Sequence, residues 1–247
     1  MQAQLRRPRS AAARTIAASL ALAALVMAGL VIPRSVYAQE ADPEVIRPDL
    51  SKIPTGEGWR VVNRAVTLEE RRGETVVVFD EREGGGGAWL EDVEFENGTI
   101  EVMIRGKNVP QHSFVGIAFR GVDDQTYDAV YFRPFNFRAD NPLSRSHHVQ
   151  YVSHPDNTWF VLRRDHEGVY ENEIDDPPNP TRFFRARIEV HKPEIRVFVN
   201  GAREPSLVVQ ELTDRTGGKI GLWVGNGSDG SFTQLVIRRD AEGDGPS

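Results

Sequence analysis

The sequence predicts an all-β chain, a two-sheet antiparallel sandwich of the jelly-roll type, and three observations predict it. Short segments rich in β-branched and aromatic residues recur along residues 56–239, many alternating apolar with polar side chains, as half-buried strands do. Turn signals separate them, Asn97-Gly98 and Asn200-Gly201 among them. No convincing helical period follows the first 38 residues, so about a dozen strands and no helix are expected, which excludes a parallel α/β sheet.

The first 38 residues stand apart. Arg6, Arg7, Arg9 and Arg14 precede an apolar run over 15–32, and Val36-Tyr37-Ala38 offers small residues where a signal peptidase reads. This is the pattern of a secretory signal, with cleavage after Ala38 and a mature chain from Gln39. The competing reading is an uncleaved anchor, because 18 residues lie at the short limit of a bilayer span. Much of the run is weakly hydrophobic alanine, which favours removal and no stable membrane insertion afterwards. The expected location is periplasmic or extracellular. There is no cysteine, which rules out disulfides and a lipid-anchored thiol and disfavours zinc.

Residues 39–247 number 209, enough for one sandwich domain without disulfides. They hold 25 basic against 36 acidic groups, a net charge of −11 with histidine neutral. Phosphate backbones and anionic membranes repel such a chain, so nucleic acid is not an expected partner.

In chain order, residues 39–55 hold prolines and mixed charge without periodicity, and read as a linker or N-terminal arm. WRVVN from Trp59 and TVVVFD from Thr75 read as strands. Gly84–Gly87 reads as a plain loop, since no helix follows to make it a phosphate cradle. Ile100, Val102 and Ile104 alternate with Glu101, Met103 and Arg105. FVGIAF, 114–119, is apolar on both faces, as in a central strand covered on each side. Later strands are read at Phe184–Val190, Ile195–Val199, LVVQEL, KIGLWVG and FTQLVI. The tail 240–247 is acidic and glycine-rich, with the composition of a disordered segment.

The stretch Tyr127–Arg163 concentrates the chemistry. Along Asp128–Arg133, Val130 and Phe132 face one way, Tyr131 and Arg133 the other; along His148–Val152, His148 and Gln150 oppose Val149 and Tyr151. Asn136, Trp159 and Arg163 lie close by in sequence. Rings pack on sugar C–H faces, while Arg, Asn and Gln satisfy the hydroxyls that binding desolvates. The plainer reading is the polar outer face of a sandwich, with rings shielding backbone.

FENGTIEVMI, FVGIAFRGVDDQTYDAVYFRPFNF, HHVQYVSHPDNTWFVLR, FFRARIEVHKPEIRVFVNG and GKIGLWVGNGSDGSFTQLVI resemble the concanavalin A-like lectin/glucanase superfamily. Within it the order is similar to laminin G-like domains and to secreted bacterial relatives of the 3-keto-disaccharide hydrolase domain. The resemblance spans residues 57–238. It implies the sandwich fold and often a calcium ion, with activities ranging over lectins, glycosidases, lyases and adhesion modules.

A retaining glucanase of this superfamily carries E-[ILV]-D-x-x-E, two carboxylates working as nucleophile and acid. Glu173-Ile174-Asp175-Asp176 begins the pattern, but Pro177 and Pro178 replace its end, and proline does not sit in a central strand. No G-x-S-x-G elbow occurs. Chemistry of the 3-keto-glycoside type would need a base, for which His148, His154 and Glu171 are candidates, and an oxyanion donor, Arg133 or Arg163. Asp123, Asp124 and Asp128, and separately Asn226, Ser228 and Asp229, are oxygen-rich enough to suggest Ca²⁺, though these are also ordinary turn residues. The sequence therefore leads to an exported carbohydrate-recognising sandwich without catalysis, binding through Tyr131, Arg133, Asn136, His148, Gln150, Trp159 and Arg163. The alternatives are a glycoside hydrolase or lyase using the same pocket and a protein-binding adhesion module.

Overall fold

The computed structural model describes residues 44–240; the signal segment and the tail beyond Asp240 lie outside the described residues. Fifteen strands occur among them: β1 (Glu44–Ile46), β2 (Trp59–Val62), β3 (Val66–Arg71), β4 (Glu74–Arg82), β5 (Gly86–Glu94), β6 (Gly98–Arg105), β7 (Val115–Gly121), β8 (Tyr127–Phe132), β9 (Val149–His154), β10 (Glu171–Asn172), β11 (Phe184–His191), β12 (Glu194–Val199), β13 (Leu207–Gln210), β14 (Lys219–Val224) and β15 (Ser228–Arg239). Two short helices, α1 (Pro142–Arg145) and α2 (Trp159–Asp165), interrupt them. No helix among the described residues is long and apolar enough to cross a membrane.

The strands form two sheets. One runs β13-β12-β11-β6-β15-β4-β3, with β1 added against β15; the other runs β10-β9-β8-β7-β14-β5-β2. Every pairing is antiparallel. Alternation builds the core: Ile100, Val102 and Ile104 of β6 and Ile188 and Val190 of β11 are buried with Ile117 and Phe119 of β7, Val130 and Phe132 of β8, and Leu222 and Val224 of β14. Burying these side chains between the sheets is the main stabilising contribution.

Three expectations change. Residues 44–55 are part of the sandwich: β1 pairs with β15, and a 3₁₀ turn over Leu50–Thr55, capped by the Asp49 side chain, buries Leu50 and Ile53 in the core. Two anchoring side chains in so short a turn leave no periodic signal. Helix α2 is the second departure. Thr158 caps it by accepting from the Val161 N–H, and its seven residues are too few for a 3.6-residue pattern to stand out. The third concerns β7. All its residues are buried, as expected of a central strand, but the cover over Ala118 is the sheet's own Trp89, Tyr127 and Tyr131 side chains, which face an open cleft.

Candidate functional site

The second sheet turns a second set of side chains outward. Trp89 of β5, Trp223 of β14, and Tyr127 and Tyr131 of β8 lie on this face, with small residues across from the rings. Trp89 is registered opposite Gly221, Trp223 between Gly87 and Gly116, and Tyr131 opposite Gly116. Two of these glycines are required. A Cβ on Gly87, whose φ is +151°, would lie 1.8 Å from the Leu222 carbonyl oxygen, and one on Gly116 would lie 2.1 Å from that of Val130. Trp223 is thus flanked by backbone without side chains on both neighbouring strands, which is a position where glycine allows close approach. The rings then pack edge-on or tilted, Trp89 against Tyr127 at 5.6 Å and Tyr131 against Trp223 at 5.2 Å. Trp223 Nε1 donates to the Tyr127 hydroxyl at 3.1 Å.

Above this floor is a cleft of about 820 Å³. Its walls are the glycine loop 84–87 and Asn226 on one side, and Phe114, Phe135, Asn136, His147, Trp159 and Arg163 on the other. Trp159 and Arg163 reach it together because four positions on a helix bring side chains onto one face. The Arg163 guanidinium lies 5.3 Å from the Trp159 ring centre. Trp159 is half exposed, whereas Leu162 anchors α2 to the sheet.

At the α2 end a polar row crosses three strands: Tyr131 faces Gln150, which faces Glu171 of β10. The Tyr131 hydroxyl donates to Gln150 Oε1 at 2.6 Å, and Arg133 Nη2 donates to the Tyr131 oxygen at 2.7 Å and also to Gln150 Oε1. Arg133 Nη1 donates to the His147 carbonyl at 3.1 Å. Glu171 is clamped by Arg163, Nε to Oε1 at 3.0 Å and Nη2 to Oε2 at 2.7 Å. Arg133 Nη1 stands 3.6 Å from Glu171 Oε2, and His147 Nε2 stands 3.2 Å from its Oε1. Burial pulls the Arg133 guanidinium below its ordinary value and pushes the Tyr131 phenol up, so Tyr131 stays a neutral donor.

Tyr131, Arg133, Asn136, Trp159 and Arg163 thus line one cleft. Gln150 is buried beneath it, holding Tyr131 and Arg133. His148 does not reach it. Strand β9 begins one residue later, so the His148 ring turns inward against Phe137 at 5.5 Å. Both its nitrogens are used, Nε2 with the Asn136 carbonyl at 2.9 Å and Nδ1 accepting from the Ile174 N–H at 3.0 Å. It is therefore neither a ligand contact nor a base facing the cleft. Glu171, 5 % exposed, has both oxygens taken by Arg163, an arrangement suited to holding the wall rather than to accepting a substrate proton. His154 does line the cleft, stacked on Tyr127 at 4.8 Å.

The calcium candidates do not converge. Asp123 accepts from the Gln125 and Thr126 N–H groups, and Asp124 pairs with Arg60. Asp128 faces the inner side, bound to Arg215 at 2.5 Å. Asn226 accepts from the Gly84 N–H, Ser228 from the Phe114 N–H, and Asp229 pairs with Lys107. Among the described residues no three His, Cys, Asp or Glu side chains are gathered as metal ligands.

Sequence reasoning missed Trp89, Trp223, Tyr127, Phe114 and His147. Trp223 had a readable sign: in GLWVG it alternates with Leu222 and Val224 and so must face outward if they are core.

His147, His148 and His154 are all held below the ordinary imidazole value of 6.5, burial being the largest cause. The unfolded chain therefore binds protons more readily at these sites. Their contribution is fully present above pH 6.5 and is lost as pH falls through the lower folded values. The urea midpoint is expected to hold between about pH 7 and 8 and to fall below about pH 6.5, and His148→Gln should flatten that fall. A midpoint level down to about pH 5 would contradict the assignment.

No protein-family model matches the sequence, and no curated protein matches it. Solved structures do match. The VIP36 exoplasmic/lumenal domain, in its Ca²⁺/Man3GlcNAc-bound form, superposes with a TM-score of 0.52 at 11% identity, over 77% of this chain and 86% of that one. A Bacillus subtilis protein of unknown function with a galectin-like fold gives 0.50 at 13% identity, over 81% and 97%. The fold is concanavalin A-like. The carbohydrate-binding module CBM66 from Bacillus subtilis matches with a TM-score of 0.47 at 11% identity, over 74% and 92%, and glycosyl hydrolases are also among the matches. In this concanavalin A-like sandwich the cleft lies on the outer face of the second sheet, with α2 forming one wall.

Proposed function

We propose that the chain recognises a carbohydrate in the cleft on the outer face of β5, β14, β7, β8 and β9. The observation that carries this reading is the aromatic floor, Trp89, Trp223, Tyr127 and Tyr131, opened by facing glycines and bordered by fixed planar donors. Sugar rings present C–H faces to such a floor and hydroxyls to such a border. The volume lies within the roughly 300–1,000 Å³ typical of small-molecule sites. Binding without turnover fits the arrangement best, because the buried carboxylate is occupied by Arg163. The matched VIP36 domain is bound to Man3GlcNAc, which supports the choice of ligand class. Chain export, with the first 38 residues as signal, belongs to the same proposal.

One observation favours turnover: His147 lies at the cleft edge with Nε2 3.2 Å from Glu171, and burial keeps its ring below the ordinary imidazole value, so it is neutral near pH 7 and able to accept a proton. A single experiment separates the two readings. A panel of neutral and acidic oligosaccharides is screened by ligand-induced melting shift, with and without calcium, and the same mixtures are chromatographed for products. A binder gives a concentration-dependent rise in Tm and unchanged sugar. Product that disappears with His147→Gln would establish the enzyme, and no shift with any sugar would overturn the recognition reading.

A further inference from the structure

We propose that the sugar bound in the cleft carries a carboxylate, a uronate seated beside Arg163 and Arg133. The inference rests on the carbohydrate reading above and deepens it. Among the described residues, the Asp, Glu, Lys and Arg side chains lining the cleft are Asp124, Arg133 and Arg163. Asp124 is neutralised at one end, both oxygens accepting from Arg60 Nη1 at 2.8 and 3.0 Å. The other end is about 20 Å away along β8, at strand spacing. There, two guanidiniums share the single carboxylate of Glu171. Arginine does not lose its proton in proteins, so this end keeps one positive charge.

The nearby acids do not cancel that charge. Glu173 is taken by Arg145 at 3.0 Å. Glu167 acts on Arg163 at longer range and is solvent-exposed, where water and salt screen it. Arg133 bears the consequence most, since its side chain is 6% exposed and its nearest carboxylate oxygen is 3.6 Å away. The excess is local, on a chain whose formal net charge is −6.

Arg163 supplies the contact. Glu171 uses its Nε and Nη2, and Nη1 makes no hydrogen bond among the described residues, so this cleft-lining arginine keeps an uncommitted donor. The guanidinium lies over the half-exposed Trp159 ring. A uronate joins a carboxylate directly to a pyranose ring, so charge and ring would be read together, by guanidinium and indole. A neutral hexose would leave the positive charge uncompensated.

The test is calorimetric titration of the full chain with oligogalacturonate, oligoglucuronate and oligomannuronate, each beside its methyl ester, which keeps the ring and removes the charge. At least one acid is expected to bind about tenfold more tightly than its ester, and to weaken several-fold as salt rises from about 50 to 500 mM. Arg163→Gln should remove that preference while retaining ester binding, which also shows that the variant folds. Arg163→Lys should keep part of it. Acid and ester binding equally, or Arg163→Gln weakening both alike, would overturn the uronate assignment and leave carbohydrate recognition standing. If neither form nor any neutral oligosaccharide binds, both proposals fall together.

Discussion

Glu171→Ala is expected to cost the sandwich about 3–5 kcal/mol in urea unfolding at neutral pH, the range for removing one partner of a buried ion pair. The size follows from what remains. Arg133, buried to 6% side-chain exposure, loses its only carboxylate within 4 Å, and Arg163 and His147 lose theirs. Two strands feel the loss, because Glu171 is the cross-strand partner of Gln150, which in turn holds Tyr131. The double variant Glu171→Ala, Arg133→Met should recover a good part of the stability, since no buried charge is then left unpaired. Equal losses in the single and double variants would mean that packing around β10, rather than charge, sets the cost.

The second large effect is on binding. Trp223→Ala should weaken any oligosaccharide that the cleft holds by about 2 kcal/mol or more, the threshold of an interface hot spot, which is about 30-fold in Kd. Trp223 is at the centre of the floor, between Gly87 and Gly116, and in ring contact with Tyr131. It is only partly buried and lies outside the main core, so Tm should change far less than affinity does. Loss of affinity in proportion to loss of stability would show the ring to be scaffold.

The sandwich was legible because its strands announce themselves one at a time. Ile188 and Val190 alternate with Arg187 and Glu189, and the structure buries the first pair and leaves the second at the surface. Tyr131 and Arg133 were legible on the same ground. What failed was information that no single strand carries. Whether Trp223 has open backbone on both sides depends on glycines at 87 and 116, far away in sequence and adjacent only through register. His148 was misplaced by one residue, and a one-residue error in a strand start reverses the face of a side chain; its neighbour His147 reaches the cleft, as His154 does. Helix α2 and the turn at Leu50–Thr55 were too short to show a period, yet one forms a wall of the site and the other closes the core.

Intrinsic fluorescence tests the placement of the site most directly. Three of the four tryptophans, Trp89, Trp159 and Trp223, line the cleft, while Trp59 is buried in the core. Sugar seated in the cleft is expected to shift tryptophan emission with the same Kd as calorimetry reports, and Trp223→Ala should abolish most of the shift. A sugar that binds by calorimetry yet leaves the emission unchanged would be bound elsewhere, and the outer-face cleft would not be its site.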